Sequence, residues 1–252
     1  MIDIAIYRVS FMNSDPRIKI ISFFSFILFV VLTPPTSWSS FGLYFALILF
    51  IAILSKVPLS FTLKRSLVIV PFVLMIAIFI PFFKPGEVAG GYSFGSFRLT
   101  LTYSGLIIFW NVLIKSWLSV LSMIMLSSTT KFPDLLKGLE KLKIPKVMIL
   151  ILSFMYRYIF VLVDEVMRMK RARDSRNFGG HKTWQIKTIG NMIGTLFMRT
   201  YERAERVYVA MVSRGFSGEI KTLDNLHLTV RDFCFLSLII LYLIFIRLWV
   251  VS

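Results

Sequence analysis

Cysteine, histidine and acidic residues are scarce in this sequence, and three common catalytic signatures are absent. The single cysteine, Cys234, excludes an intramolecular disulfide framework and a cysteine-based metal site. There is no phosphate-binding G-x-x-x-x-G-K-[ST] loop, no G-x-S-x-G motif and no H-E-x-x-H motif. The only histidines, His181 and His227, are 46 residues apart in sequence. We therefore expect no catalytic residues, no metal site and no cofactor on this chain.

Apolar and basic residues are in excess instead. Hydrophobic residues make up 57% of the 252 positions, and 25 of them are phenylalanine. Soluble domains are nearer ~45–50% apolar, so lipid is the expected solvent for the surplus. The 29 Lys and Arg residues outnumber 13 Asp and Glu, giving a net charge of +16. Nucleic acid is a common partner of basic proteins. Outside the long helices described below, however, the sequence has no alternation of basic residues with aromatic residues that could stack on bases. We therefore expect no nucleic acid partner.

Apolar runs of membrane-spanning length occur five times, since a spanning helix needs roughly 20 residues. They are residues 18–32, 41–54, 66–83, 104–126 and 233–251. The sequence therefore predicts an all-α integral membrane protein with about five transmembrane helices. Asn111 and Lys115 lie inside the fourth run, where polar residues are usually functional. We expect Lys115 to pair with a carboxylate or a carbonyl, and Arg247 to extend outward to the membrane interface.

The distribution of charge predicts the topology. Residues 127–232 hold 19 Lys or Arg against 10 acidic residues, whereas the 33–40 connection holds no basic residue. Cytoplasmic loops are enriched in Lys and Arg, so the N-terminus and residues 127–232 are predicted to be cytoplasmic and the C-terminus external. The chain then divides into 1–126 (transmembrane helices 1–4), 127–232 (long cytoplasmic helices) and 233–252 (the last transmembrane helix). The location predicted is the inner (plasma) membrane of the cell.

One further apolar run, residues 147–163, has nearly the length of a sixth span. Clusters of Lys and Arg flank it on both sides, and Arg157 would lie near mid-bilayer, at a cost of ~2.5–3.5 kcal/mol. We therefore predict a helix that stays on the cytoplasmic side, buried against protein or lying at the interface. Hydropathy alone leaves the spanning alternative open.

Two long amphipathic helices are predicted in the basic region, from Pro145 to Arg176 and from about Trp184 to Arg214. The second ends at Gly215 and has apolar residues at 3–4-residue spacing on one face. That face comprises Ile186, Ile189, Ile193, Phe197, Ala204, Tyr208 and Met211. The opposite face carries Arg199, Glu202, Arg203 and Arg206, with Glu202 and Arg206 spaced to pair at i,i+4.

The ends of these helices repeat at a fixed offset of 38 residues, with the shared pattern acid-x-x-x-Arg-x-x-x-Ala-x-x-Ser-Arg-[Asn/Gly]-Phe. A single Arg at a helix C-terminus is explained by the helix dipole, but two identical ends suggest two equivalent receptors. Arg would ion-pair in a groove while Phe packs beside it. The predicted docking residues are Arg173, Ser175, Arg176, Asn177, Phe178, Ser213, Arg214, Gly215 and Phe216. Arg173 and Arg176 are rival candidates for the main contact of the first end.

The segments RARDSRNF, at Arg171–Phe178, and YERAERVYVAMVSRGF, at Tyr201–Phe216, carry a family resemblance. In these segments and in overall layout the chain resembles the transmembrane T component of energy-coupling factor (ECF) transporters, and the cobalt/nickel (CbiQ-like) type in particular. Asn177 departs from the Gly that this family more often has at the first end, but Asn also tolerates the left-handed conformation.

The resemblance implies a non-catalytic subunit of an ATP-driven importer of cobalt or nickel. The Arg of each helix end would insert into a groove of one of two ATP-binding-cassette ATPase subunits, which hold the ATP. The long coupling helices would hold a membrane S component that binds the metal, and a small accessory membrane subunit is a further possible partner. The lipid bilayer surrounds the whole.

Two alternatives stay open. The first is a vitamin-type T component shared by several S components, which neighbouring genes would separate from the metal type. The second is a membrane enzyme that acts on anionic lipids through its basic face. It lacks a constellation of acid, base or nucleophile, because the acidic pairs of the long helices have the spacing of surface salt-bridge partners.

Overall fold

The structure, a computed structural model, describes residues 15–35, 37–55, 57–83, 88–94, 97–176, 182–218 and 229–251. Their helices are α1 Pro16–Leu32, α2 Trp38–Leu54, α3 Leu59–Leu67, α4 Val70–Ala77, α5 Ile80–Phe83, α6 Tyr103–Thr129, α7 Phe132–Lys141, α8 Lys146–Arg176, α9 Lys182–Val212 and α10 Val230–Val251. The strands described are β1 Val88–Phe94 and β2 Phe97–Thr102. The predicted fold class, an all-α integral membrane protein, is confirmed, and to it the structure adds one hairpin.

The chain forms two compact units. The first, here called the membrane bundle, comprises Met1–Gly138 and Leu226–Ser252. The second, here called the helix pair, is Leu139–Asn225 and contains α8 and α9. The boundary between Gly138 and Leu139 falls within the short helix α7, most of which belongs to the membrane bundle.

Within the described residues, four helical stretches are long and apolar enough to cross a membrane, namely Leu59–Phe82, Tyr103–Thr129, Lys146–Arg176 and Asp232–Trp249. Trp38–Leu54 is a shorter apolar helix, and α1 has 17 residues. At 1.5 Å per residue each of these two is about 25 Å long, near the lower limit for a span. The stretch within Lys146–Arg176 qualifies by length and composition, so the cytoplasmic position of residues 147–163 stays a prediction.

The core of the membrane bundle lies where α1, α2, α6 and α10 meet. Val30, Tyr44, Met125 and Leu243 are fully buried there. The Tyr44 hydroxyl shares a hydrogen bond of 3.1 Å with Thr33 Oγ1, and its ring meets Phe26 edge-on, with 5.7 Å between the ring centroids. A buried polar group is costly without a partner, so this bond lets the tyrosine fill the core.

Prolines divide the third apolar run into α3, α4 and α5. Pro71 and Pro81 lack the N–H that would bond to the carbonyl four residues earlier. The chain is non-helical at residues 68–69 and 78–79, just before each proline. The Phe72 N–H bonds to Ile69 O at 3.1 Å and the Phe82 N–H to Phe79 O at 3.2 Å, both over three residues instead of four. The run therefore continues in one direction as three short helices.

Gly105 allows α6 to approach α5 closely. A Cβ atom at this position would lie 2.6 Å from Pro81 Cα and 3.2 Å from Pro81 O. Both of these are backbone atoms, which cannot move aside as the end of a flexible side chain can. Glycine is therefore required at this crossing.

The β1–β2 hairpin was not predicted. Its strands are antiparallel, with Tyr92 opposite Leu99 and Phe94 opposite Phe97. The signal was present in residues 97–102, which read FRLTLT and alternate apolar and polar residues at the period of a strand. A six-residue pattern is short beside the apolar runs of spanning length, which dominate the sequence.

Candidate docking site on the helix pair

The two long helices run antiparallel and cross. Residues 154–162 of α8 line a cleft with residues 200–211 of α9, and residues 166–173 line a second cleft with residues 189–196. Between the clefts, the Arg199 guanidinium forms a salt bridge with the Glu165 carboxylate. One cleft has a volume of about 360 Å³ and the other about 230 Å³. The helices therefore touch at a central crossing and separate on either side of it.

The crossing coincides with the axis implied by the sequence repeat. If α8 residues map onto α9 residues 38 positions later, Glu165 corresponds to Arg203 and Arg199 corresponds to Val161. Val161 and Arg203 line the same cleft, next to the Glu165–Arg199 bridge. The same offset relates Tyr158 and Met211 of the larger cleft to Leu196 and Arg173 of the smaller cleft, as a local two-fold axis at the crossing would. The repeat and the contacts between the helices agree on one symmetry.

The second helix end has a complete C-terminal cap. Gly215 has a positive φ of 80°, the left-handed conformation that favours glycine. The Phe216 N–H bonds to Met211 O at 3.1 Å and the Gly215 N–H to Val212 O at 2.9 Å, which is the Schellman pattern. Arg214 occupies the cap position and is exposed, while Phe216 is half-buried. The sequence Ser-Arg-Gly-Phe therefore presents an arginine at the end of the helix.

The first helix end matches the second where both are described. Ser175 Oγ donates to Arg171 O at 2.8 Å, and Ser213 Oγ donates to Val209 O at 2.9 Å. These two bonds are equivalent under the 38-residue offset. Asn177 and Phe178, predicted to complete the first end, lie outside the described residues.

The two rival arginines of the first end differ in their surroundings. Arg173 Nη2 forms an ion pair with Asp174 Oδ1 at 2.7 Å, and the Arg173 side chain lines the smaller cleft. Arg176 is exposed, and within the described ranges neither it nor Arg214 forms an ion pair. Two charged groups of the same sign are thus left free, one at each end.

The faces predicted for α9 agree only in part with the residues that face α8 in the structure. Ile189, Ile193, Ala204, Tyr208 and Met211 line the clefts as the spacing suggests. Ile186 and Phe197, assigned to the same face, are 70% and 65% exposed.

Arg199 and Arg203, assigned to the polar face, lie at the crossing. Glu202 and Arg206 pair within α9 at 3.9 Å, as their spacing predicts. The spacing within one helix could not reveal the Glu165–Arg199 bridge, because it joins two helices.

Asn111 and Lys115, predicted to lie inside a span, are residues of α6 in the membrane bundle. Their side chains contact the C-terminal end of α1 and the residues that follow it. Lys115 Nζ donates to Val31 O at 2.9 Å and to Thr33 O at 2.6 Å. Asn111 Nδ2 donates to Pro35 O at 2.7 Å. The expected pairing of Lys115 with a carbonyl is therefore found, within its own chain.

Arg247 of α10 donates from Nη1 to Leu32 O at 2.7 Å, and its extension outward to the membrane interface stays a prediction. The last carbonyls of a helix lack intrahelical partners. Pro35 adds to this shortage, because it has no N–H to donate to Val31 O, four residues earlier. Two features of the sequence could have predicted these bonds, namely the double proline after the first apolar run and the cations inside other apolar runs.

Comparisons with known proteins agree with the layout. The CbiQ family model, described as cobalt transport protein, matches residues 9–223. An uncharacterised protein of Methanocaldococcus jannaschii is 32% identical over 230 residues, covering 89% of this chain and 77% of that protein.

Two relatives carry functional names. The energy-coupling factor transporter transmembrane protein EcfT of Listeria innocua is 30% identical over 215 residues, covering 81% of this chain and 79% of its own length. The cobalt transport protein CbiQ of Rhodobacter capsulatus is 32% identical over 103 residues, covering 40% of this chain and 41% of its own length. The chain therefore belongs to the CbiQ cobalt transport protein family and is a multi-pass membrane T component of the energy-coupling factor transporter type.

Proposed function

We propose that this chain is the non-catalytic coupling subunit of an ATP-driven importer for cobalt or nickel. Arg176 and Arg214 each dock into one of two ATPase subunits, which hold the ATP. The helix pair transmits the movement of those subunits to a membrane S component that binds the metal ion. The observation that carries the proposal is the pair of matched arginine-bearing helix ends, related by the local two-fold of the α8–α9 crossing.

The geometry of the helix pair suits a two-fold receptor. Because the helices are antiparallel, their C-terminal ends lie on opposite sides of the crossing. Arg176 is 11 residues beyond Glu165 and Arg214 is 15 beyond Arg199. At 1.5 Å per residue this places them up to about 39 Å apart. Two adjacent domains of roughly 250 residues, each with a radius of gyration of about 18 Å, have centres roughly 45 Å apart. The distance between the two arginines is therefore compatible with one arginine docking into each subunit.

Arg176 is the better candidate for the first contact. Docking into a groove requires a guanidinium free to form a bidentate bond with a carboxylate. Arg173 already shares its Nε and Nη2 donors with Asp174, whereas Arg176 is exposed. We assign Arg173 to the helix pair itself, as a lining residue of the smaller cleft.

Co-purification of the ATPase subunits with the tagged chain tests the docking role. The Arg176→Ala, Arg214→Ala double variant should lose the ATPase pair while its level in the membrane stays unchanged. Arg173→Ala and Arg206→Ala serve as matched controls, since both remove an arginine of the same helices that already has an acidic partner. Full retention of the ATPases by the double variant would refute the proposal.

We also propose that the helix pair, with residues 147–163, lies on the cytoplasmic side of the inner membrane. Arg157 lies in the middle of that apolar run, and basic clusters flank it on both sides, so crossing would move one cluster outward. Reporter fusions at residues 90, 140, 182 and 252 test this topology. A cytoplasmic signal at 140 with an external signal at 182 would mean that α8 spans.

A second candidate, a T component serving vitamin-type S components, has one observation in its favour. The EcfT relative of Listeria innocua aligns with 81% of this chain, whereas the CbiQ relative of Rhodobacter capsulatus aligns with 40%. Identifying the cargo of the purified assembly by metal analysis and by mass spectrometry of organic ligands decides between the two, because a vitamin transporter would carry an organic molecule and not a free cobalt or nickel ion.

A further inference from the structure

Two cationic side chains meet at the C-terminal end of α1 in the membrane bundle. Lys115 of α6 bonds to the carbonyls of Val31 and Thr33, and Arg247 of α10 bonds to the carbonyl of Leu32 between them. Both side chains are half-buried and so can be reached from outside. A helix C-terminus carries only about half a negative charge, so two full positive charges exceed what it neutralises.

No carboxylate balances this excess within the described part of the chain. The ion pairs found there involve other residues. A cation in a span is costly unless it has a counter-charge or reaches the interface. The cluster retains donors for such a counter-charge. Lys115 uses two of its three N–H groups, and a guanidinium has five, of which Arg247 uses one in this cluster.

Exposed tryptophans place the cluster at the level of lipid headgroups. Trp38 begins α2, Trp110 adjoins Asn111, and Trp249 follows Arg247 by two residues. These indoles are 55%, 52% and 65% exposed. Tryptophan is enriched at the membrane–water interface, where its ring lies among the headgroups. Arg247 is four residues, or about 6 Å, from the end of α10, which agrees with that depth.

We propose that Lys115 and Arg247 form a binding site for the phosphate of an anionic phospholipid, in the leaflet at the C-terminal end of α1. The fork of the Arg247 guanidinium matches the two non-bridging oxygens of a phosphodiester, and the free N–H of Lys115 can donate to one of the same oxygens. Asn111, through its bond to Pro35 O, holds the turn after α1 in position and is a positioning residue. This site does not depend on the coupling role.

Native mass spectrometry of the full-length protein in detergent, titrated with phosphatidylglycerol or phosphatidylcholine, tests the site. The wild-type protein should retain phosphatidylglycerol preferentially. The Lys115→Gln, Arg247→Gln double variant should bind it at least about tenfold more weakly, because the charge-assisted hydrogen bonds from both cations to the phosphate are lost. Glutamine keeps an N–H donor at each position and removes the charge. Arg65→Gln, which removes an exposed cation of α3, is the control and should bind as wild type.

Three outcomes would overturn the proposal. The first is equal affinity for phosphatidylglycerol in the double variant and the wild type. The second is displacement of the lipid by millimolar inorganic phosphate, which would make the ligand a free anion. The third is unchanged lipid binding with loss of a co-purifying membrane protein, which would make the counter-charge a partner's carboxylate. If the double variant is not monodisperse, Arg247→Gln alone decides, since it leaves both bonds of Lys115 in place.

Discussion

The membrane bundle and the helix pair differ in how far each buries its own side chains. In the bundle, residues from several helices are fully buried, including Val30, Tyr44 and Leu243. In the helix pair, α8 has one buried residue, Ile149, and α9 has none among the residues described. Two helices that touch only at a crossing cannot cover each other's apolar faces. The bundle is therefore held by its own packing, whereas the helix pair offers its surface to other molecules.

Polar groups show the same contrast. In the bundle they bond between helices, as when Trp117 Nε1 donates to Ser66 Oγ at 3.0 Å and so joins α6 to α3. In the helix pair, Glu165 and Arg199 also bond between helices, but Arg176 and Arg214 are exposed and form no ion pair with a described residue. Cores set stability and exposed, unpaired groups are available for recognition, so substitutions in the two units should have separable effects.

The largest expected difference concerns side-chain truncation. Leu243→Ala in α10 removes a fully buried side chain, and loss of packing should lower the free energy of unfolding by about 2–4 kcal/mol. Val209→Ala in α9 removes a side chain that is 62% exposed and should change it by less than about 0.5 kcal/mol. Thermal unfolding of both variants in the same detergent measures the difference. Equal losses of stability would show that the helix pair has a core of its own.

Substitutions at two glycines, one in each unit, test the same difference in packing at the level of the backbone. Gly105→Ala places a Cβ against the Pro81 backbone and should destabilise the bundle by about 1–3 kcal/mol, because one of two helices must shift. Gly194→Ala in α9 meets nothing within 4 Å and should stabilise that helix by up to about 1 kcal/mol. The same thermal measurement should therefore give shifts of opposite sign. A neutral Gly105→Ala variant would contradict the close approach of α5 and α6.

The sequence predicts the elements of both units better than their contacts. The runs at 18–32, 104–126 and 233–251 fall within α1, α6 and α10, because spanning length and hydropathy are properties of one segment. The bonds of Lys115 and Arg247 to α1 depend on which helices are neighbours, and no spacing within a segment encodes that. The 38-residue repeat predicts equivalent helix ends. The antiparallel crossing at Glu165 and Arg199 could not be predicted from the repeat and is seen only in the structure.

The smallest expected effect concerns that crossing. Glu165→Gln removes the interhelical bridge to Arg199, whose side chain is 56% exposed, so solvent screening limits the loss to at most about 1 kcal/mol. Amide hydrogens of α8 and α9 near the crossing should then exchange up to about fivefold faster, since local opening becomes easier. Glu202→Gln is the matched control, because its pair with Arg206 lies within α9 and does not join the helices. If the two variants exchange alike, the bridge does not hold the pair together, and contact between the apolar side chains of the two helices is what positions the helix ends.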